Sequence, residues 1–126
     1  MPITAMNHFN VITDDVPKTI AFYRDVLGLT EGDRPSFSFP GAWLYAGGEP
    51  IVHISGGRSR DELKPGVIDH MAFSATDLRA TLARLQQAGI RANAQRQVGT
   101  GIWQVFVNDP NGARVELDFS PDEPGP

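Results

Sequence analysis

Three histidines and one glutamate carry the chemistry that this sequence suggests first. His8 and His70 are 70 − 8 = 62 residues apart, and His53 and Glu116 are 116 − 53 = 63 apart. Two imidazoles and a carboxylate on one surface can hold a divalent metal and leave coordination positions open. A lone strand histidine is more often a hydrogen-bonded core or rim residue, and Glu116 alone could be the polar face of an edge strand. The matched spacing favours His8, His70 and Glu116 as a metal site.

The same spacing relates the elements that must position these residues. The helix-capping residues Asp15 and Asp77 are 62 apart, as are Ile20 and Leu82 on the apolar stripes of two predicted helices. We therefore predict a tandem βαβββ repeat in which each module covers the apolar face of the other. A two-fold relation between the halves would bring the four chemical side chains onto one concave surface. An accidental likeness of two βα starts is the alternative, and the shared register argues against it.

Hydrophobic periodicity and turn residues give the bounds of the predicted elements. In the first module they predict strands at 6–12, 43–45 and 51–54, and a helix that Asp14 or Asp15 caps and Gly28 ends. In the second they predict strands at 67–75, 91–98, 102–107 and 114–119, and a helix that Thr76 or Asp77 caps and Gly89 ends. One domain is expected, with module 1 at about 5–55, a linker at about 56–66, module 2 at about 67–119 and a frayed tail at 120–126.

Composition excludes several classes of protein. The chain has 126 residues, a net charge of −4 and no cysteine, which removes disulfides, cysteine nucleophiles and thiolate metal sites. Its acidic balance does not favour nucleic acid or anionic membranes, and it has no apolar run long enough for a membrane span. With no secretory signal in the sequence, we expect a cytoplasmic protein whose partner is a small-molecule substrate.

Four segments carry a resemblance to a known family. They are NHFNVITDDVPKTIAFYRDVLGL, IVHI, IDHMAFSATDLRATLARLQQAGI and FVNDPNGARVELDF. Together they resemble the vicinal oxygen chelate superfamily, which holds glyoxalase I, extradiol dioxygenases, methylmalonyl-CoA epimerase and the fosfomycin- and bleomycin-resistance proteins. The resemblance implies an α+β fold of paired βαβββ modules that form a cupped mixed eight-stranded sheet. It also implies that His8, His70 and Glu116 are the metal ligands.

His53 separates the subfamilies within this resemblance. In glyoxalase I the equivalent position usually carries a Glu that binds the metal and moves the substrate proton, whereas here it is His. In extradiol dioxygenases a non-ligand histidine lies between the two ligand histidines, as His53 does. Three protein ligands leave room for a bidentate catecholate and dioxygen, and His53 would then act as the acid and base. If His53 is instead a fourth ligand, isomerase or lyase chemistry fits better.

The sequence therefore favours a metal-dependent, extradiol-dioxygenase-like enzyme, with Fe(II) as the favoured metal and Zn, Ni, Mn or Co as alternatives. Those dioxygenases usually carry a Tyr near the position of Phe106, which weakens this hypothesis. A glyoxalase- or epimerase-type isomerase or lyase is the second hypothesis, and a non-catalytic antibiotic-binding protein is the third. A fosfomycin-type thiol transferase ranks last, because Lys is sparse and Phe9 replaces the expected Thr.

Trp43, Trp103 and Phe106 are predicted pocket residues, with core packing as their alternative. The family resemblance also implies a homodimer, with the modules paired within one chain or across two.

Overall fold

The structure, a computed structural model, describes residues 2–126 and repeats one βαβββ pattern twice. The first copy comprises β1 (Phe9–Ile12), α1 (Val16–Ala21), β2 (Thr30–Gly32), β3 (Gly41–Ala46) and β4 (Glu49–Ser55). The second comprises β5 (Met71–Ser74), α2 (Leu78–Gln87), β6 (Ala94–Arg96), β7 (Trp103–Asn108) and β8 (Arg114–Phe119). The α+β class and the duplicated pattern are confirmed. No helix within residues 2–126 is long and apolar enough to span a bilayer.

Each copy forms its own unit, one ending at Leu63 and the other beginning at Lys64. The first unit holds a four-stranded sheet in the order β1-β4-β3-β2, and the second a sheet in the order β5-β8-β7-β6. In the first sheet β1 runs parallel to β4, and in the second β5 runs parallel to β8. The other neighbouring strands are antiparallel. The division between the units falls inside the predicted linker, where Arg60–Glu62 form a 3₁₀ turn.

Strand alternation gives each sheet one buried and one polar face, because successive side chains point to opposite sides. In the first unit Leu44, Val52 and Ile54 are buried, and α1 packs against β3 and β4. In the second unit Val105, Val115, Leu117 and Phe119 lie on the buried face. His53 and Glu116 belong to the opposite, polar face of their sheets. The fold therefore places both of these side chains away from the buried face.

The helix boundaries follow the predicted capping residues. Asp15 caps α1 by accepting a hydrogen bond from the Lys18 N–H, and Asp77 caps α2 by accepting one from the Ala80 N–H. After α1 the chain widens into a π-helical turn over Phe22–Val26. Gly28 then ends the segment in a left-handed conformation at φ +83°, which glycine adopts without steric cost.

Several strands are shorter or longer than the sequence predicted. β1 and β5 begin at Phe9 and Met71, so His8 and His70 lie one residue before their strands and not inside them, as predicted. Met71 pairs with Val115, the second residue of β8, so most of the predicted 67–70 extension has no partner in that ladder. The pattern also missed β2, whose three residues are all exposed and therefore show no apolar alternation.

The C-terminal tail is ordered, contrary to the predicted fraying of residues 120–126. The Glu123 carboxylate accepts hydrogen bonds from the N–H of Asp77, the N-cap residue of α2, at 3.0 Å and from the N–H of Leu78, its first residue, at 2.7 Å. Trp103 Nε1 donates to the Glu123 carbonyl at 3.1 Å, and Arg79 Nε donates to the Gly125 carbonyl at 2.6 Å. The proline and acidic residues of this segment predict a frayed terminus, but in the structure the tail supplies hydrogen-bond acceptors to α2.

Candidate metal-binding and acid–base residues

The second unit brings His70 and Glu116 into direct contact. His70 Nε2 lies 3.0 Å from Glu116 Oε1, and Glu116 is only 8% exposed. Two ligand atoms that each lie about 2.1 Å from one ion in adjacent octahedral positions are about 3.0 Å apart. The separation and the chemistry of this imidazole–carboxylate pair therefore fit a shared divalent metal.

The other nitrogen of His70 is held by the residue before it. His70 Nδ1 lies 2.8 Å from Asp69 Oδ2, and Arg114 Nη1 lies 3.4 Å from the same oxygen. Both neighbours of His70 are carboxylates, so each ring nitrogen faces an acceptor. With a divalent metal between Nε2 and Glu116, the proton would stay on Nδ1, where Asp69 accepts it, and Nε2 would supply its lone pair to the metal. Metal-binding histidines commonly donate their second N–H to a carboxylate in this way. Hydrogen bonding to His70 and the nearby Arg114 lower the pKa of Asp69, which keeps it ionised.

Gln104 and Asp118 complete the surroundings of Glu116 on the polar face. Gln104 Nε2 donates to Glu116 Oε2 at 3.1 Å, so the two carboxylate oxygens face different partners. Burial, followed by the hydrogen bond and negative charge of Glu116, raises the pKa of Asp118 to about 6, although His70 opposes the shift. Asp118 Oδ1 is buried without a hydrogen-bond partner. The sequence signal for this residue was its position two after Glu116, on the same strand face.

In the first unit, three aromatic rings stack in the order Trp43, His53, His8. The ring centroids of Trp43 and His53 are 4.0 Å apart, and those of His53 and His8 are 3.8 Å apart. The planes differ by 10° and 12°, so both faces of the His53 ring are covered. Only the edge of this imidazole is available for a proton or a ligand.

The hydrogen bond of His53 leaves one of its nitrogens as an acceptor. His53 Nε2 lies 3.1 Å from the Pro50 carbonyl, which can only accept, so Nε2 carries the proton and Nδ1 presents a lone pair. Burial first, and then the charge of His8, lower the pKa of His53, although the Pro50 carbonyl opposes the shift. The ring is therefore neutral near pH 7 and able to accept a proton.

His8 is oriented by its preceding residue in the same manner as His70. His8 Nδ1 lies 2.7 Å from Asn7 Oδ1, and this acceptor leaves Nε2 with the lone pair. Asn7 and Asp69 are 69 − 7 = 62 residues apart, so the orienting residue is repeated together with the histidine. Sequence reasoning missed both residues, although the dipeptides Asn-His and Asp-His at this spacing were a usable signal.

Strand register confirms the equivalence of His53 and Glu116. His53 pairs with Asn10 and Trp43, and Glu116 pairs with Ala72 and Phe106. Each partner in the second ladder lies 62 or 63 residues after its counterpart. The two modules therefore offer a histidine and a glutamate at the same place on the polar face.

The three predicted pocket residues lie in different settings. Trp43 stacks on His53, and Phe106 meets His70 edge-on at 5.9 Å between ring centroids, so both adjoin candidate site residues. Trp103 lies on the opposite face of β7 from Gln104 and Phe106. On that face the Arg96 guanidinium covers its ring at 3.9 Å from the centroid. This contact favours a packing role for Trp103, the alternative to a pocket residue.

Neither unit, taken by itself within residues 2–126, gathers three His, Asp or Glu side chains into a metal-binding group. The structure joins His70 to Glu116 and His8 to His53. A ligand set of His8, His70 and Glu116 draws on both modules and stays a prediction. The repeated pattern is that of a class of small proteins built from two βαβββ modules.

Comparison with protein families identifies that class. The model of the Glyoxalase/Bleomycin resistance protein/Dioxygenase superfamily matches residues 5–117. The chain therefore belongs to this superfamily, as the resemblance of its motifs implied.

The relatives with assigned names include a glyoxylase, a transferase and a lyase. The chain is 29% identical over 123 residues to Glyoxylase I 4 of Arabidopsis thaliana, covering 91% of this chain and 70% of that protein. It is 30% identical over 119 residues to the glutathione transferase FosA of Serratia marcescens, covering 91% and 80%. It is 27% identical over 121 residues to lactoylglutathione lyase of Haemophilus influenzae, covering 87% and 88%.

A solved structure shows the same fold at lower identity. A point mutant of the fosfomycin resistance protein FosX from Listeria monocytogenes matches with a TM-score of 0.75 and 18% identity, covering 94% of this chain and 93% of that one. That protein was crystallised with Mn(II) and 1S,2S-dihydroxypropylphosphonic acid. The likeness confirms the α+β fold expected for this chain.

Proposed function

We propose that this protein is a divalent-metal-dependent lyase or isomerase of the glyoxalase type. Its substrate would be a small molecule that presents two adjacent oxygen atoms to the metal. The observation that carries the proposal is the His70–Glu116 pair, 3.0 Å apart, with Asp69 orienting the imidazole. The glyoxylase and the lyase among its relatives support the reaction class.

In this proposal His8, His70 and Glu116 hold the metal. When bound, a divalent ion polarises the substrate oxygens and stabilises the negative charge that develops on them. Asn7 and Asp69 would accept the Nδ1 protons of the two histidines, so that Nε2 of each ring could bind the metal, and Gln104 holds the second oxygen of Glu116. Mn, Ni, Zn or Co serves this chemistry, since the reaction class requires no change in the oxidation state of the metal.

His53 is proposed as the residue that moves the proton. For a substrate with a hydroxyl-bearing carbon beside a carbonyl, its neutral Nδ1 would take the proton of that carbon and return it to the carbonyl carbon. The hydroxyl proton would pass to the former carbonyl oxygen, so the reaction is an isomerisation with no net loss of atoms. The stacking supports this role over that of a fourth ligand. Two nearly parallel rings 3.8 Å apart cannot both direct an in-plane lone pair at one ion.

The comparisons support this lyase or isomerase hypothesis better than the ring cleavage first favoured from the sequence. The named relatives described above are a glyoxylase, a transferase and a lyase, and the preference for Fe(II) depended on the oxygen chemistry of dioxygenases. Phe106, where those enzymes usually carry a Tyr, offers no hydroxyl to a substrate. Ring cleavage is therefore kept as an outcome of the test.

The test combines metal analysis with two activity assays. The full chain, purified without nickel resin or chelator, is loaded separately with Mn, Ni, Zn, Co and anaerobic Fe(II), and bound metal is measured by ICP-MS. Each form is assayed for isomerisation, with the adduct of methylglyoxal and glutathione and with other 2-oxo aldehyde adducts, and for oxygen uptake with catechol.

The expected result is one metal per chain and isomerisation without oxygen uptake. Both should be lost in His70→Ala and Glu116→Ala. Oxygen uptake with iron would replace this proposal with the dioxygenase hypothesis. If none of the metals binds, the hypothesis of a non-catalytic binding protein would replace this proposal. A fully active, metal-free His70→Ala protein would refute the assignment of His70 as a metal ligand. Light scattering on the same samples tests the predicted homodimer.

A further inference from the structure

A cation and two phenyl rings lie on the β2–β3 loop of the first unit, outside the residues used so far. We call Arg34, Phe37 and Phe39 the Arg34 cluster. The guanidinium carbon of Arg34 lies 5.0 Å from the ring centroid of each phenylalanine. The two rings stack with centroids 5.2 Å apart, and they remain 45% and 42% exposed. Exposed aromatic rings grouped around a cation are typical of ligand-binding surfaces.

The loop that carries the cluster is fixed at both ends. The Tyr45 hydroxyl donates to the Asp33 carbonyl at the start of the loop. The Gly56 N–H donates to the Pro40 carbonyl at its end, at 2.8 Å. Between these anchors the loop needs little further ordering before it can bind a ligand, which favours affinity.

The backbone also leaves space for the Arg34 side chain. Arg34 Nη2 donates to the Phe39 carbonyl at 2.9 Å, which closes the cluster on itself. A Cβ atom at Gly41 would lie 2.9 Å from Arg34 Nη2 and would also collide with the Ile54 carbonyl. Glycine at position 41 therefore permits the close approach of the guanidinium to β3.

The Arg34 guanidinium has no carboxylate partner among residues 2–126. Arg24, Arg58, Arg60 and Arg114 each lie within 4.0 Å of a carboxylate, whereas Arg34, like Arg79 and Arg96, donates to a backbone carbonyl instead. Its Nε is buried without a hydrogen-bond partner. A buried donor left unsatisfied reduces stability, and such a group requires an explanation. An anionic ligand group would supply the missing acceptor.

The cluster continues into the ring stack that ends at His8. The Phe37 and Trp43 ring centroids are 6.4 Å apart at an angle of 51°, and Trp43 stacks on His53. One apolar surface therefore runs from Arg34 to the proposed proton-transfer residue. A molecule bound along it can meet His53 with one end and Arg34 with the other.

We propose that Arg34 binds a carboxylate of the substrate, while Phe37 and Phe39 contact an apolar part of the same molecule. This assignment of substrate class rests on the proposed function, but the binding surface itself requires neither metal nor turnover. Arginine suits this role because its planar donors match a carboxylate. Substrates with a carboxylate and an apolar group are then favoured over uncharged analogues.

A matched pair of probes tests the surface independently of the chemistry. The full chain is titrated with 3-phenylpropanoate and with 3-phenylpropanamide, neither of which offers two oxygens on adjacent carbons to a metal, and the Trp43 indole N–H resonance is followed by NMR. We expect the carboxylate to bind about tenfold more tightly than the amide, as for a hydrogen bond to a charged group. Added salt should reduce that preference.

Three variants separate the contribution of the Arg34 charge from that of the phenyl rings. Arg34→Gln should abolish the preference for the carboxylate, whereas Phe37→Leu should weaken both probes to a similar extent. Arg58→Gln, which removes an exposed arginine that is paired with Glu62, is the matched control and should retain the preference. Equal affinity of the wild-type protein for the two probes, or an unchanged preference in Arg34→Gln, would overturn the proposal.

Two further measurements cover the unfolding of Arg34→Gln and a failure of the metal proposal. If Arg34→Gln unfolds, which circular dichroism would show, Arg34→Lys and the salt dependence of the wild-type protein replace it. A carboxylate preference that does not respond to salt or to Arg34→Lys would refute the role of Arg34. Repeating the titration with His70→Ala separates the two proposals, since the preference should persist there even if the metal proposal fails.

Discussion

At the scale of single residues, the neighbour of each histidine decides which nitrogen is free. Asp69 and Asn7 accept from the Nδ1 positions of His70 and His8, whereas the Pro50 carbonyl accepts from Nε2 of His53. Nε2 of His8 and Nδ1 of His53 are therefore left with lone pairs, and Nε2 of His70 would present one to a metal shared with Glu116. These differences fit two ligands and one proton carrier, and they can be tested one residue at a time.

Removal of the orienting carboxylate should weaken metal binding. We expect Asp69→Ala to lower affinity by about 10- to 100-fold, because the imidazole loses both its fixed tautomer and its fixed orientation. Competition with a fluorescent chelator measures the change. Asp122→Ala, which removes another exposed carboxylate of the same unit, serves as the control. Equal affinities in the two variants would show that Asp69 does not orient a ligand.

Substitution of His53 should separate proton transfer from metal binding. We expect His53→Gln to retain a full metal content and to lose about 10²- to 10⁴-fold in kcat, the usual contribution of a general base. ICP-MS and steady-state kinetics on the same preparation supply both numbers. Loss of the metal together with activity would instead make His53 a fourth ligand.

At the scale of elements, the ends of the strands and helices hold the candidate residues in position. His8 and His70 lie immediately before β1 and β5, where the paired strand fixes the backbone and the side chain remains accessible. At the start of α2 the Glu123 carboxylate of the C-terminal tail accepts hydrogen bonds from the amides of the N-cap residue and of the first helical residue. The tail is therefore an integral part of the second unit.

Removal of the tail carboxylate should destabilise the protein. We expect Glu123→Ala to lower the free energy of unfolding by about 1 kcal/mol, comparable to the loss of a helix cap. Urea denaturation monitored by circular dichroism gives the value, and Asp122→Ala is the adjacent control. If the two variants are equally stable, the contact of the tail with α2 contributes little in solution.

The 3₁₀ turn at Arg60–Glu62 should show a defined pH response. A hydrogen bond from Arg58, then those from Ser59, lower the pKa of Glu62. Because the folded pKa is lower than the unfolded one, the stabilisation is complete above the unfolded value and is lost as the pH falls through the folded value. NMR should find the Glu62 carboxyl titrating below its usual range, and below its own value in Arg58→Gln. A midpoint unaffected by that substitution would contradict the contact.

At the scale of the whole molecule, duplication places chemical side chains at matching positions in the two modules. The first carries His8 and His53, and the second carries His70 and Glu116. A metal held by ligands from both modules would couple binding to the stability of the entire fold.

Thermal unfolding should reveal this coupling. A metal present at 100 times its dissociation constant stabilises the native state by about 2.7 kcal/mol, so metal should raise Tm and EDTA should reverse the rise. Differential scanning calorimetry measures both. The increase should vanish in His8→Ala and in His70→Ala. Its persistence in His8→Ala would show that the first module contributes no ligand.

The sequence by itself determined the duplication, the helix caps at Asp15 and Asp77, and the equivalence of His53 with Glu116. These features depend on periodicity and on local hydrogen bonding, which nearby residues specify. It did not determine that His8 and His70 precede their strands, because strand ends depend on where the partner strand begins. It also missed the ordered tail, because its acceptors meet α2 about 45 residues away along the chain.

Only the tertiary structure decided how the chemical groups are oriented. The Trp43–His53–His8 stack and the Gln104–Glu116 hydrogen bond join residues from different strands and loops, so spacing along the chain carries no direct trace of them. A sequence pattern can place a side chain on one face of a strand. Which faces of the His53 ring are covered, and which oxygen of Glu116 accepts a hydrogen bond, depends on the neighbours that folding brings into contact.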